Sequence, residues 1–96
     1  MHIILIPQRR DDTLMLSREG DVLIINEEAY DFSQVPDGAT LPASAIDSEF
    51  IVHEVQRIDG VLYITIILPH GADASEAARF PAPIIDPPNG VVELPQ

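Results

Sequence analysis

The dipeptide Asp59-Gly60 constrains this chain more than any other feature. It separates two apolar, β-branched runs, Ile51-Val52-His53-Glu54-Val55-Gln56-Arg57-Ile58 and Val61-Leu62-Tyr63-Ile64-Thr65-Ile66-Ile67-Leu68. A primed two-residue hairpin turn needs positive φ at both central positions, and Asp-Gly adopts that conformation at low cost. The turn predicts Ile58 opposite Val61, Gln56 opposite Tyr63 and Glu54 opposite Thr65. One face then carries Ile51, Val55, Leu62, Ile64, Ile66 and Leu68, with His53 among them and Arg57 near the turn. The other face carries Val52, Glu54, Gln56 and Ile58 against Val61, Tyr63, Thr65 and Ile67. A slip of one residue would bury Glu54 and Gln56, so the pattern fixes the register.

Upstream, Thr13–Arg18 and Asp21–Ile25 flank Glu19-Gly20, which predicts a second hairpin with Arg18 opposite Asp21 and Leu16 opposite Leu23. Leu14, Leu16, Leu23 and Ile25 share its apolar face. Asn26-Glu27 turns the chain again into Glu28–Phe32 and completes a meander over 13–32, although Glu27 stands where a type I′ turn prefers glycine. Residues 33–47 hold Pro36-Asp37-Gly38 and Pro42, a crossing with a helical turn near Ala43–Ile46. Pro69 is expected to end the strand after Leu68. Asp73-Ala74-Ser75-Glu76 has the spacing of a helix cap and predicts one short helix near residues 73–79, closed by Pro81. The proline-rich segment 81–96 contains the turn Pro87-Pro88-Asn89-Gly90 and an edge strand at Val91–Leu94.

Ninety-six residues make one β-rich domain, residues 1–96. The expected fold is all-β: a small antiparallel β-sandwich or partly open barrel built from hairpins, its two apolar faces buried against each other. No cysteine is present, which excludes a disulfide scaffold, thiolate ligands and a thiol nucleophile. Sixteen acidic residues against five basic ones, all arginine, give a net charge of −11, which argues against direct binding of nucleic acid through its phosphates. Pro7 interrupts Ile3-Ile4-Leu5-Ile6 too early for a signal peptide or a membrane helix. A location in the host-cell cytoplasm or in a virion is expected, with no membrane partner.

Each candidate for chemistry has a simpler structural reading. His53 lies on the apolar face without a second ligand at metal-binding spacing, and Glu54 points the other way. His70, Asp73 and Glu76 share a loop, but Ala72 and Ala74 interrupt the calcium-loop pattern, and capping accounts for the acids. Arg9-Arg10 is followed directly by Asp11-Asp12 and compensates itself. Ser17, Ser33, Ser44, Ser48 and Ser75 lack a nucleophile signature. Gly20, Gly38, Gly60, Gly71 and Gly90 stand singly at turns, and Glu27-Glu28 and the Asp47, Glu49 pair are adjacencies expected in so acidic a chain. No catalytic, cofactor-binding or metal residue is assigned, and no cofactor is expected.

Pro7-Gln8-Arg9-Arg10-Asp11-Asp12-Thr13-Leu14, Gly20-Asp21-Val22-Leu23, Asp31-Phe32-Ser33, Ile58-Asp59-Gly60-Val61 and Leu68-Pro69-His70-Gly71 resemble segments of small uncharacterised phage and prophage proteins encoded near tail genes. The resemblance covers most of the chain, carried mainly by turns. It implies a phage origin and a role in tail structure or assembly, and it supplies no catalytic residues. The expected function is therefore a non-enzymatic structural or assembly protein binding other proteins, tail components or further copies of itself. Val52, Tyr63 and Ile67 are its expected contact residues. The alternative is an acidic DNA mimic that inhibits a host nucleic-acid-binding protein, motivated by the charge.

Overall fold

The computed structural model describes residues 1–73 and 75–95. Ala74, inside the expected capping stretch, and Gln96, the last residue of the proline-rich segment, lie outside the described residues. Among the described residues the fold is all-β, with two sheets sharing one apolar core. The strands are β1 (His2–Arg9), β2 (Leu16–Glu19), β3 (Val22–Ile25), β4 (Glu28–Asp31), β5 (Thr40–Leu41), β6 (Val55–Ile58), β7 (Val61–His70), β8 (Ile84–Ile85) and β9 (Gly90–Val92). One sheet has the order β5-β6-β7-β1-β8 and the other β4-β3-β2-β9. A 3-10 turn occupies Ala43–Ala45, and α1 is the single turn Glu76–Arg79.

The β6–β7 hairpin forms as its turn dictates. Ile58 pairs with Val61 and Gln56 with Tyr63, and Asp59 and Gly60 have φ of 50° and 80°. The register then breaks. Ile51 bridges Ile66, and the Val52 N–H donates to the Thr65 carbonyl at 3.0 Å, so no Glu54–Thr65 pair exists. Extra residues bulge between Val55 and Ile51, with His53 at φ 64°. His53 is therefore exposed instead of lying on the apolar face. The bulge returns Ile51 to the core at 4% exposure and expels the imidazole, which would otherwise need a buried hydrogen-bond partner.

The second hairpin also departs from expectation. Its turn is Gly20-Asp21, so Arg18 pairs with Leu23 and Leu16 with Ile25. Gly20 has φ 60° and Asp21 does not share the positive φ, the arrangement of a turn that takes glycine first. The shift is by an even number of residues, so Leu16, Leu23 and Ile25 still face the core. The next turn falls at Asn26-Glu27 as expected, with φ of 48° and 75° and Ile25 opposite Glu28. Glu27 and His53 both occupy backbone that favours glycine. Glu27→Gly and His53→Gly should each raise stability by about 0.5–1 kcal/mol, read as a higher midpoint in urea unfolding.

β1 pairs with β7 in parallel from His2↔Tyr63 to Arg9↔His70, a strand and an orientation that hairpin reasoning did not supply. Pro69 does not end β7. Beyond Ile67 the two strands run on as a ribbon with no second neighbour among the described residues, so Pro7 and Pro69 need no N–H for an outer partner. The helix cap is Ser75, whose hydroxyl accepts from the Ala78 N–H, and not Asp73. The proline-rich segment gives one strand to each sheet: β8 pairs with β1, and β9 pairs with β2.

Arg57 and Arg18 fasten these layers together. Arg57 donates from Nε to the Val35 carbonyl at 2.6 Å and from Nη2 to the Phe32 carbonyl at 3.1 Å and Asp21 Oδ2 at 3.0 Å. Arg18 donates to the carbonyls of Gly20 and Pro87 and to Asp86, while Asn89 accepts from the Gly20 N–H. At the end of β4, the Asp31 carboxylate accepts the Ser33 N–H at 2.9 Å. That backbone bond, with help from the Ser33 hydroxyl, holds the Asp31 pKa below the ordinary aspartate value. Its stabilising contribution is complete above the unfolded value of about 4 and is lost as pH falls through the lower folded value. A carbon-detected titration should place the Asp31 midpoint below that of an unstructured aspartate. A midpoint at or above it would refute the assigned bond.

Candidate protein-interaction surface

Side chains alternate across β1 and β7, so burying Ile3, Leu5, Ile64 and Ile66 in the core turns their neighbours outward. The outward row pairs His2 with Tyr63, Ile4 with Thr65 and Ile6 with Ile67. The His2 and Tyr63 rings stack with centroids 4.9 Å apart. On β8, Ile84 lies beside Ile3 while Ile85 lies beside His2, which adds Ile85 to the outward row. α1 contacts both β1 and β7. Its Ala78 is buried but belongs to no part of the central core, so the helix covers the outer face. That cover is partial. Ile4 is 38% exposed, Ile58 46%, Ile85 70% and Phe80, at the end of α1, 77%.

The three expected contact residues fare differently on this surface. Tyr63 is half-buried and stands on the outer row beside His2. Val52 is half-buried past the bulge, tied through its N–H to Thr65. Ile67 is half-buried and packs against the core cluster, so less of it remains for a partner. Ile4, Phe80 and Ile85 offer more apolar surface and were missed. The run Ile3-Ile4-Leu5-Ile6 contained the signal, because a strand apolar at every position lies in the interior of a sheet with both faces partly covered.

The candidates for chemistry remain apart. His53 sits on the bulge, and His70 at the end of β7, its Nδ1 3.0 Å from the Gly71 carbonyl. Among the described residues, no group of three His, Asp or Glu side chains could hold a metal ion. Arg10 forks onto Asp12, with Nε 2.9 Å from Oδ1, and lies over the Phe50 ring at 5.1 Å. The Tyr30 hydroxyl lies within hydrogen-bond distance of two acceptors, Glu28 Oε2 at 2.9 Å and the Asp47 carbonyl at 3.1 Å, which share its one proton. The Ser48 hydroxyl accepts from the Phe50 and Ile51 amides. Among the described residues no helix is long and apolar enough to cross a membrane. The chain matches no family model, no curated protein and no solved structure.

Proposed function

We propose that the protein is a non-enzymatic structural or assembly factor that docks onto another protein, a phage-tail component, through the outer face of the β1–β7 sheet. The observation that carries this reading is the set of exposed apolar side chains, Ile4, Ile85 and Phe80, beside the Tyr63–His2 stack. Small soluble domains seldom leave large apolar side chains grouped in the open unless a partner covers them. Strand-borne residues on a hydrogen-bonded sheet also present a preorganised surface, which lowers the ordering cost of binding. The phage-tail assignment follows from the resemblance in the turn segments.

The test is capture of tail proteins by the tagged wild-type chain and by Tyr63→Ser and Ile85→Ser. Wild type should retain tail components, and each variant should lose at least about tenfold in affinity with Tm almost unchanged. A wild-type protein that stays monomeric and captures no tail component would overturn the proposal. The acidic-mimic alternative gains no support from the placement of the carboxylates. Asp21, Asp37 and Asp59 gather around the β6–β7 turn, whereas Asp11, Glu27 and Glu93 lie at the other end of the strands.

A further inference from the structure

A second surface is distinct from the outer face and shares none of its exposed apolar residues. Where the β1–β7 ribbon extends past its last neighbours, the two sheets part and leave a groove of about 980 Å³. That is at the upper end of the ~300–1,000 Å³ typical of ligand clefts, room for several residues of extended chain. Its apolar floor includes Leu14, Leu16, Leu68, Val92 and Leu94. Met15, 72% exposed, stands at its side.

The charged residues of the rim are mainly acidic, Asp11, Asp12, Glu27 and Glu93. Arg10 lines the groove, but its guanidinium is already forked onto Asp12. Asp11, Glu27 and Glu93 are exposed and have no ion-pair partner among the described residues. The whole chain carries −11, so the surrounding field is also negative. One wall is β9, the edge of its sheet, which among the described residues pairs only with β2. Prolines at 88 and 95 bracket this edge, and every residue from Asn89 to Leu94 keeps its N–H. An unpaired edge beside an apolar floor is the setting for strand addition, in which backbone bonds hold the incoming segment and alternate side chains fill the groove.

We propose that this groove binds an extended segment of a partner protein in which apolar residues alternate with lysine or arginine. The segment pairs with the free edge of β9, its apolar side chains enter the floor, and its cations meet Asp11, Glu27 and Glu93. A second copy of this chain is a poor occupant, since it brings the same strong negative charge.

The probe is a blocked peptide alternating valine and lysine, titrated into the isotopically labelled full chain, with a valine–glutamate peptide as control. Amide shifts should concentrate at residues 14–16, 68–71 and 90–94, and the control should not bind. Raising salt from about 0.02 to about 0.3 M should weaken binding several-fold. The triple variant Asp11→Asn, Glu27→Gln, Glu93→Gln should bind about tenfold more weakly. Among the described residues these carboxylates have no ion-pair partner to lose, so the variant should fold, and the salt series tests the same point on the wild type. Ile85→Ser should leave the affinity unchanged, which separates this groove from the outer face. Absent binding, equal binding of the control, salt-insensitive affinity, or shifts confined to the outer face would each overturn the inference. So would dimerisation of the free chain through β9.

Discussion

Arg57→Met is expected to lower stability by about 3 kcal/mol and Tm by roughly 12–20 °C for a domain of this size. The guanidinium is only 14% exposed and links three parts of the fold: its own hairpin, the 32–35 crossing and the β2–β3 turn at Asp21. Methionine fills much of the volume but leaves the Val35 carbonyl without its donor and Asp21 without its cation, while the Phe32 carbonyl keeps only the Val35 N–H. A mostly buried acceptor stripped of its partner costs more than the intact bond contributed. Arg57→Lys should recover only part of the loss, because one ammonium cannot reproduce the geometry of the fork. The outcome is read by paired thermal and urea unfolding. A change below about 1 kcal/mol would mean that water replaces the guanidinium at the Val35 carbonyl.

Ile64→Ala is expected to cost about 4 kcal/mol, a large part of the roughly 5–14 kcal/mol available to a chain of this length. Ile64 is fully buried, and Ile3 lies beside it on the parallel strand, also fully buried. Neighbours fixed in a hydrogen-bonded sheet cannot collapse into the space a missing side chain leaves. Ile85→Ala, at a 70% exposed position on the same sheet, should change stability by less than about 0.5 kcal/mol. Comparable losses at the two positions would contradict the assigned faces.

Apolar alternation and turn chemistry made most of the core legible in advance. Leu62, Ile64, Ile66, Leu68, Leu16, Leu23 and Ile25 all face inward as their spacing requires. Alternation records only odd and even positions. It therefore could not distinguish Leu16 opposite Leu23 from the observed Leu16 opposite Ile25, and only the conformation of Gly20 decides between them. It also placed His53 inward, because a bulge leaves no periodic trace. The parallel alignment of β1 with β7 was hidden for a different reason. No turn joins these strands, and their pairing is decided by packing between segments far apart in the chain. The outer face proposed for docking was partly visible in Tyr63, which stands on its outward row. Its larger members, Ile4 and Ile85, required the pairing of β8 and β1 to be known.

The division of the proline-rich segment between the two sheets bears on how the protein is made. During synthesis Ile3 and Leu5 emerge early, yet the strand that flanks them is translated only after most of the chain. The last edges of both layers come later still, with Ile84 and Val92. Ordering of β1 must wait for these later segments, and a pairing so distant along the polypeptide is slow compared with a local hairpin fold. Until then the nascent Ile3-Ile4-Leu5-Ile6 stretch is open to mispairing, and the surrounding excess of carboxylates keeps neighbouring nascent chains apart.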